Sequence, residues 1–292
     1  MFDKLFRKKS KVVSPRAWLG RVASNTWVGK EAALASLTQG IMGADGRYAD
    51  PLGLARHQAQ VYSQNGEDGI IAETFRRIGT RDRFFVEIGI GDGQENNTRF
   101  LLEQGWRGVW VEGSAEFAQR ARDTFAQFIA SGHLRLVESL VTAETISALL
   151  QDAGVPQEFD FLSLDIDQNT SHVWRALTQR ARVVCIEYNA SLPAAVPLEV
   201  PYAPSGVWDG SNWFGASLKA LEQIGTSKQM NLVGCDALGI NAFFVASPEA
   251  DASRFRAPFT AEHHFEPPRY NVVGHAGHPA SRVARRWLSG TP

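Results

Sequence analysis

Short apolar runs alternate with helical patterns from about residue 62 to residue 245, and no other feature limits the fold as strongly. The runs "FFVEI", "GVWVEG", "LRLVESLV", "FDFLSLDID" and "ARVVCIEYN" predict five strands, and amphipathic segments separate them. Residues 231–234 and 241–245 predict a closing pair of strands. Such alternation is typical of a mostly parallel sheet with helices on both faces. We therefore predict an α/β fold with a seven-stranded sheet.

Composition narrows the class of protein further. A chain of 292 residues, 44% of them hydrophobic, can bury one large core and carry a small appendage. It lacks an apolar run of about 18 residues, so the sequence predicts no membrane-spanning helix. The two cysteines, Cys185 and Cys235, form no disulfide framework and fit a reducing compartment, which predicts a cytoplasmic protein. A net charge of -1 gives no argument for nucleic-acid binding.

Three segments are predicted: an N-terminal extension (1–60), the α/β domain (61–248) and a C-terminal tail (249–292). The beginning of the extension is basic, and Phe2, Leu5 and Phe6 share one face if this piece is helical. That pattern fits a solvated leader or a helix that contacts a membrane surface or a partner. The tail carries four of the seven histidines, but its prolines favour a surface tail over a metal site.

Polar residues close four of the five strands predicted to be parallel. They are Glu87, Glu112, the pair Asp165 and Asp167, and the pair Glu187 and Asn189. Ligands of such sheets bind beyond the carboxyl ends of the strands, near the point where the strand order reverses. A sheet with a purely structural role would place only an occasional polar residue there. The repeated pattern therefore predicts a binding site.

The loop after the first strand, "EIGIGDG", has features that bring a ligand close to the backbone. Gly89 and Gly91 lack side chains and permit positive φ. A dinucleotide fingerprint, G-x-G-x-x-G, would require glycine at position 94, which is Gln94. The acids Glu87 and Asp92 would also repel a pyrophosphate. The loop therefore suits a ligand that has a cationic amine and sulfonium and no phosphate.

Glu112 ends the second strand, where it can accept hydrogen bonds from both hydroxyls of a ribose. A carboxylate offers two oxygens to such a vicinal diol. S-adenosylmethionine combines a ribose with an amine and a sulfonium. The sequence therefore predicts S-adenosylmethionine as the cofactor.

Several motifs, taken in this order, resemble the FkbM-like methyltransferases, a family of Rossmann-like, S-adenosylmethionine-dependent enzymes. The motifs are "YSQNGEDGII", "FFVEIGIGDGQENNT", "GWRGVWVEG", "FLSLDID" and "VVCIEYN". The resemblance covers residues from about Tyr62 to Val245 and implies a class I methyltransferase fold. It also implies methyl transfer, usually to a hydroxyl of a sugar, polyketide or other secondary metabolite. Many members carry proline after the acid of the second strand, whereas this chain has Gly113.

The resemblance implies a set of cofactor-binding positions. They are Glu87, Gly89 and Gly91 at the methionine end, and Glu112 and Gly113 on the adenosine side. Gln64 and Asn65 precede the first core helix and are candidates to close over the methionine part, or simply to form a helix cap with a tight turn. Asn96, Asn97 and Thr98 are expected to cap the next helix, and Asn97 and Thr98 are the candidates to touch the cofactor as well.

Asp165 and Asp167 lie two apart on a strand end, so their carboxylates point to the same face. They are candidates to position or deprotonate an acceptor hydroxyl, or to bind a divalent cation such as Mg²⁺. A third interpretation, a glycosyltransferase-like D-x-D that holds a nucleotide diphosphate, fits poorly with the acidic glycine loop. His172 is a further candidate to shuttle a proton, although a lone histidine is more often structural.

Glu187 and Asn189 lie two apart at the end of the fifth strand and share a face in the same way. Both are candidates to hold acceptor hydroxyls. Glu187 is also a candidate to complete a metal site with Asp165 or Asp167. The alternative is that Glu187 only satisfies a buried backbone N–H group.

Residues 190–213 form a predicted loop with four prolines. Loops of this length within a compact domain are usually functional. Trp208 and Trp213 are candidates to stack on a sugar ring, and the short polar residues beside them are suited to its hydroxyls. We predict an acceptor-binding lid, and a rigid cover over the strand edge is the alternative.

These features together predict an S-adenosylmethionine-dependent O-methyltransferase with a sugar-containing or secondary-metabolite acceptor. Its partner is then a small molecule or a glycan rather than nucleic acid. Two other classes remain open. One is a non-catalytic module on the same fold that binds carbohydrate or a partner protein. The other is an NAD-dependent oxidoreductase, which Gln94 disfavours.

Overall fold

The structure is a computed structural model that describes residues 48–270 and four isolated positions before them, Gly29, Ala32, Ser36 and Gly40. The basic beginning of the chain and the last two histidines, His275 and His278, lie outside the described residues. No helix in the described part of the chain is long and apolar enough to cross a membrane.

Within residues 48–270, seven strands form one mixed sheet. They are β1 (Phe84–Ile88), β2 (Arg107–Glu112), β3 (Leu134–Glu138), β4 (Glu158–Leu164), β5 (Arg180–Glu187), β6 (Met230–Cys235) and β7 (Asn241–Ala246). Their spatial order is β3-β2-β1-β4-β5-β7-β6, and β7 runs antiparallel to both of its neighbours. The predicted α/β fold is confirmed, and β7 is the reason that the sheet is not fully parallel.

The strand order reverses between β1 and β4, which are neighbours near the centre of the sheet. The order of the first five strands is that of doubly wound, Rossmann-like sheets. Ile88 lies opposite Val111 of β2 on one side and Leu164 of β4 on the other. The loops that follow these three strands therefore begin side by side, where such sheets bind ligands.

Helices cover both faces of the sheet. They are α1 (Glu67–Ile78), α2 (Arg99–Glu103), α3 (Ala115–Thr124), α4 (Ala126–Ala130), α5 (Ile146–Asp152), α6 (Thr170–Ala176), α7 (Leu218–Ser227) and α8 (Ala261–His264). The sequence predicts one helix over 115–129, but the structure interrupts it at Phe125. That side chain is buried, with its ring edge-on to Trp110 at 4.8 Å, so packing on the sheet overrides helix continuity.

Alternate residues of each strand point to opposite sides of the sheet, and both sides are buried. Val86 and Ile88 belong to a core that includes residues of α5, α6 and α7. Phe85 belongs to a second core that includes residues of α1, α2 and α3. The near-continuous apolar strands of the sequence reflect this two-sided burial.

The N-cap of α1 is Gly66, which makes no side-chain cap bond, and Ser63 and Asp68 bond across the entry to the helix instead. One oxygen of Asp68 accepts from the backbone N–H groups of Val61, Tyr62 and Ser63 at 2.7–2.8 Å, and the Asp68 N–H donates to the Ser63 hydroxyl. This arrangement resembles a capping box, with the partners five residues apart. It fixes the chain that enters α1 against the carboxyl edge of the sheet.

Packing crosses the two predicted segment boundaries, so the folded unit extends beyond residues 61–248 on both sides. Leu54 and Gln58 are buried, and the Gln58 amide oxygen accepts from the Ala237 N–H at 2.7 Å. Glu249 forms an ion pair with Arg182 at 2.8 Å, and Phe255 has no exposed surface. The described part of the predicted surface tail therefore packs on the domain through a few buried residues, including Phe255.

Candidate functional site

Two cavities lie beyond the carboxyl ends of β1, β2 and β4. The N-terminal cavity, about 720 Å³, lies between residues 60–67 and the glycine loop. The loop cavity, about 630 Å³, lies between Glu112, residues 139–141 and residues 204–208. Four residues line both cavities: Gly89, Gly91, Phe117 and Asp165. The two cavities thus meet at the point predicted from the strand order.

The two glycines of the loop serve different purposes. Gly89 has φ +84°, and a Cβ at this position would lie 1.7 Å from the backbone oxygen of Asp165. Gly91 has φ +57°, and a Cβ there would meet no atom within 4 Å. We expected both glycines to admit a ligand to the backbone. Gly89 does line both cavities, but the space of its missing side chain is filled by the chain after β4, whereas the same space at Gly91 is open.

Glu112 supports the glycine loop as well as lining the loop cavity. Its two oxygens accept from the backbone N–H groups of Gly91 and Ser114, each at 2.8 Å. Glu112 is buried, and 8% of its surface is exposed. Each carboxylate oxygen can accept a second hydrogen bond. The predicted contact with a vicinal diol is therefore compatible with the backbone contacts.

Apolar side chains are unusually exposed in the loop cavity. Phe117, Leu140 and Val207 are 42%, 77% and 84% exposed, and all three line this cavity. A Cβ on Gly113 would lie 2.7 Å from the Leu140 side chain, so the glycine leaves room for Leu140. Large exposed apolar groups in a cavity usually mark a ligand surface. This apolar surface lies in the same cavity as the carboxylate of Glu112.

Glu87 is the centre of a buried hydrogen-bond network. Its carboxylate accepts from the Asn96 amide at 2.8 Å, from the Asn97 N–H at 2.8 Å, and from the N–H and hydroxyl of Thr98. Burial raises the pKa of Glu87 to about 7, against the opposing effect of these donors. Glu87 thus shapes the return from the glycine loop to α2, and its edge lines the N-terminal cavity.

Asn97 and Thr98 do not cap α2 with their side chains. The Asn97 amide donates to the Ser163 hydroxyl at 3.0 Å, and Asn97 lines the N-terminal cavity. Thr98 is fully buried, accepts from the Trp110 indole N–H at 2.7 Å and lines neither cavity. We therefore retain Asn97 and remove Thr98 from the predicted cofactor-binding residues.

Gln64 and Asn65 both line the N-terminal cavity, as the prediction requires. Gln64 is exposed, whereas Asn65 is buried and donates from its backbone and its amide to Glu67. Glu67 also accepts from the Asn241 amide at 2.9 Å. The "SQNGED" segment therefore serves both as the hydrogen-bonded entry to α1 and as a cavity wall.

Asp165, Asp167 and Glu187 come together at the ends of β4 and β5. Each offers one carboxylate oxygen, and these oxygens lie within 4.8 Å of one another. Asp167 has φ +55° and begins a single 3₁₀ turn (Asp167–Asn169), which directs the chain back toward Asp165. Both aspartates line the loop cavity. The predicted convergence of these carboxylates is present.

The surrounding protein raises the pKa of all three carboxyls. Burial and the charge of Asp165 raise the pKa of Asp167 to about 6. Burial, the two aspartates and a hydrogen bond with Asp165 raise the pKa of Glu187 well above its usual value. The Oε2 atom of Glu187 is buried and has no hydrogen-bond partner. Such a cluster is suited to acid–base catalysis or to binding a cation, since hard oxygen ligands suit Mg²⁺ and Ca²⁺.

Thr98 and Glu187 line neither cavity, and three more predicted site residues also lie away from both. His172 has Nε2 2.8 Å from the Val200 carbonyl, its ring lies beside Tyr202, and it lines neither cavity, so it is not placed for catalysis. Asn189 is fully buried and donates to the carbonyls of Asn212 and Phe214, so it anchors the loop instead of the acceptor. Trp213 is buried and lines neither cavity.

Trp208 is the aromatic residue of the predicted lid that does line the loop cavity. Its indole N–H donates to the Ser211 carbonyl at 2.6 Å. The same loop is tied to the domain by Tyr202, whose hydroxyl accepts from the Ala143 N–H at 3.0 Å, and by Glu199, which pairs with Arg175. The loop is therefore both a cover over the sheet edge and one wall of a cavity.

Several cavity residues were not predicted, namely Gln60, Arg99, Phe117, Leu140, Val207 and Asn241. Leu140 follows the third strand, whose end, Glu138 and Ser139, was left out of the predicted site. The rule that ligands bind at strand ends applies to that strand too, and it would have indicated residues 139–141. Phe117 and Arg99 lie in the first turns of helices that follow the site loops, and no local pattern distinguishes them from core residues.

No family model matches the sequence, and no curated protein matches it significantly. Similar solved structures include the pyocyanin biosynthetic protein PhzM, at 18% identity over 60% of this chain and 54% of that one, with TM-score 0.36. The N-terminal domain of EvdMO1, in the presence of SAH and D-fucose, is 13% identical over 60% of this chain and 80% of that one, with TM-score 0.39.

A third similar structure is an S-adenosylmethionine-dependent methyltransferase from Clostridium acetobutylicum ATCC 824. It is 12% identical over 60% of this chain and 88% of that one, with TM-score 0.38. This chain spans only 54% of the length of PhzM. Identities of 18% or less and TM-scores of 0.39 or less do not establish an activity, so the function is inferred from the site.

Proposed function

We propose that this protein is an S-adenosylmethionine-dependent O-methyltransferase of the FkbM-like type, acting on a hydroxyl of a sugar-containing or secondary-metabolite acceptor. One observation carries the proposal. Two cavities meet at Gly91 and Asp165, and Glu112 stands in the loop cavity beside exposed apolar side chains. This is the layout needed by a ligand with a nucleoside at one end and an amino acid at the other.

The residues of the loop cavity suit the nucleoside. Glu112 offers one remaining lone pair on each oxygen to the ribose hydroxyls. Phe117, Leu140 and Val207 provide apolar surface for the adenine ring. The amino acid end then extends past Gly91 into the N-terminal cavity, where Gln64, Asn65 and Asn97 provide polar contacts.

The charges of the two cavities favour a cationic ligand over a pyrophosphate. The acids that line them are Glu67, Glu87, Asp92, Glu95, Glu112, Asp165 and Asp167. Among the described residues, Arg99 is the only arginine or lysine in either lining. A dinucleotide would place two phosphate charges against these acids, whereas a sulfonium and an ammonium are attracted by them. The oxidoreductase alternative is therefore disfavoured by the structure's charges as well as by Gln94.

When bound, S-adenosylmethionine supplies an electrophilic methyl group and leaves as a thioether. The chain has to hold the acceptor oxygen in line with that group and to accept the hydroxyl proton. Asp167 is suited to both tasks, because it lines the loop cavity and its raised pKa makes it a stronger base than an ordinary aspartate. Trp208 provides an aromatic surface for the acceptor on the same side.

A divalent cation remains a second way for the cluster to act. Asp165, Asp167 and Glu187 would each give one oxygen, and a cation there would polarise the acceptor hydroxyl. Carboxylate oxygens are the type of ligand that Mg²⁺ prefers. We treat the cation as an alternative to the base, and the two are separated by experiment below.

Calorimetric titration of the whole chain with SAH and, separately, with NAD tests the cofactor. We expect SAH to bind in the micromolar range and NAD not to bind. Incubation with methyl-labelled S-adenosylmethionine and a panel of hydroxylated glycans and metabolites then tests transfer. SAH binding with no labelled product from any acceptor would favour a non-catalytic module, and binding of NAD without SAH would overturn the proposal.

A further inference from the structure

Arg99 occupies an exceptional position among the acids of the site. It is the first residue of α2, and it lines the N-terminal cavity. The other charged residues described in the two linings are all acids. A cavity with one guanidinium among carboxylates can bind both charges of a zwitterion, whereas a purely acidic cavity binds only the cation.

Two aromatic rings hold the guanidinium in place. Its Cζ lies 4.0 Å from the centroid of the Tyr62 ring and 5.4 Å from that of Phe125. Its Nη1 donates to the Gln94 carbonyl at 2.9 Å. Stacking and one fixed hydrogen bond restrict the plane of the group before any ligand arrives. Preorganisation of this kind reduces the entropy lost on binding.

Part of the donor capacity of Arg99 is unused. Its Nε is buried without a hydrogen-bond partner, and Arg99 forms no ion pair with any residue of the described chain. Nearby acids line the same cavity but do not pair with it: Asp92 accepts from Gln94, and Glu67 accepts from Asn65 and Asn241. A buried N–H without an acceptor is costly, so a ligand that supplies one gains from it. The Nε and Nη2 edge of a guanidinium matches the two oxygens of a carboxylate.

We propose that Arg99 binds the α-carboxylate of the amino acid end of the cofactor, and that the surrounding acids select for its ammonium group. This assignment rests on the proposed function, since it presumes a cofactor with an α-amino acid. A phosphate is disfavoured, because its two charges would meet Asp92, Glu95 and Glu67 with one arginine to compensate. The assignment makes Arg99 and Tyr62 part of cofactor recognition, and neither residue follows from the strand-end rule.

The test compares two ligands that differ only at the amino acid end. SAH carries the carboxylate and the ammonium, whereas 5′-methylthioadenosine retains the adenosine and the thioether and lacks both. Calorimetric titration of the Arg99→Met variant should show SAH binding weakened roughly ten- to a hundredfold, the scale of a lost charge-assisted contact. Its affinity for 5′-methylthioadenosine should stay within about twofold of the parent, because methionine keeps the apolar stack on Tyr62.

Two further variants serve as controls. Arg99→Lys keeps the charge without the fork, so it should recover part of the SAH affinity. Arg107→Met removes an exposed arginine at the start of β2, outside both cavities, and should change neither affinity. Thermal unfolding of each variant shows that the protein is folded during titration.

The outcomes separate this assignment from the proposed function. If the parent protein binds SAH but Arg99→Met loses affinity for both ligands equally, or for neither, the assignment is overturned and the cofactor stands. If the parent binds no SAH, the proposed function fails and the assignment fails with it. If Arg99→Met binds SAH more weakly but keeps its affinity for 5′-methylthioadenosine, the result supports both the assignment and the proposed function.

Discussion

Gly89 and Gly91 lie two residues apart in one loop, yet the missing side chain has a different consequence at each. At Gly89 the limiting neighbour is the backbone oxygen of Asp165, which is part of the protein. At Gly91 the neighbouring space is open and belongs to both cavities. The sequence predicts that both positions need glycine, but it does not distinguish a contact within the fold from a contact with a ligand.

We expect Gly89→Ala and Gly91→Ala to separate these roles. Gly89→Ala should lower the free energy of unfolding by roughly 2–4 kcal/mol, because the Cβ overlaps a backbone atom at positive φ. Gly91→Ala should cost about 1 kcal/mol of stability and should weaken SAH binding, since its methyl group enters the cavity. Thermal unfolding and calorimetry measure the two effects. Equal SAH affinity in folded Gly91→Ala and the parent would place the ligand elsewhere.

Glu112 gives a second prediction at this scale. Glu112→Ala should weaken SAH binding by ~1.5–3 kcal/mol, the range for a lost hydrogen bond to a charged group. Glu112→Gln should weaken SAH binding nearly as much. Both oxygens of Glu112 accept from backbone N–H groups, so the NH₂ group of glutamine would face the N–H of either Gly91 or Ser114, where two donors repel. Glu138→Ala is the matched control, since Glu138 lies opposite Glu112 on β3, is exposed and lines neither cavity. Full SAH affinity in both Glu112 variants would contradict the ribose contact.

Other residues show where prediction from sequence stops. Glu87, Thr98 and Asn189 were all predicted to touch a ligand, because polar residues at strand ends and after glycine loops often do. The structure gives each of them a hydrogen-bond partner 9 to 25 residues away within the protein. A local pattern reports that a polar group needs a partner, but only the fold determines whether that partner is backbone or ligand.

At the scale of elements, the sheet determines which carboxylates meet. Asp165 follows β4 and Glu187 ends β5, and these strands pair in parallel register, with Leu164 opposite Ile186. The alternation of strands and helices was sufficient to predict the strands and their polar ends. No local pattern determines the order of the strands. The sequence therefore left open which of the carboxylates at the strand ends would meet.

The cluster predicts a pH dependence with a definite sign. Asp167 acts as a base only when it is ionised, and its pKa is raised to about 6. Turnover should therefore fall as the pH drops through about 6 and should be level above 7. Asp167→Asn should lower turnover by ~10²–10⁴-fold with SAH affinity retained, which is the usual range for a general base. Rates of labelled methyl transfer between pH 5 and 9 give the profile.

A chelator distinguishes the base from the cation. If the carboxylates act through a proton, EDTA should leave turnover unchanged. If they bind a cation, EDTA should inhibit and excess Mg²⁺ should restore activity.

The pH dependence of stability gives an independent test of the protonation of Asp167. Because the folded pKa of Asp167 lies above its unfolded value, the stability linked to its proton is present at low pH and is lost as the pH rises through about 6. Asp167→Asn should then unfold at a higher temperature than the parent at pH 8, but not at pH 4. Full transfer by Asp165→Asn, Asp167→Asn with chelator present would contradict both mechanisms.

At the scale of the whole molecule, the folded unit is larger than the alternating pattern suggests. The sequence signal ends near residue 248, because the segment after it has no strand or long helix. Its contribution comes from single buried side chains and ion pairs instead. Arg182, in β5, is 8% exposed at its side chain and pairs with both Asp160 and Glu249. Further along the chain, the Glu266 carbonyl accepts from the Tyr188 hydroxyl at 2.6 Å.

This packing predicts opposite results for two truncations. A chain that ends at residue 248 loses Glu249, which leaves Arg182 with a weakened partner set, and loses the fully buried Phe255. A buried phenylalanine alone is worth about 3–5 kcal/mol, a large share of the 5–15 kcal/mol typical of a domain, so this truncation should not fold stably. A chain that ends at residue 270 keeps Glu249, Phe255 and the hydrogen bond between Tyr188 and Glu266, and should unfold at a much higher temperature than the shorter chain. Phe255→Ala in the full chain is the matched point variant, and it should lie between the two. A stable, SAH-binding protein that ends at residue 248 would show that residues 249–270 only rest on the domain.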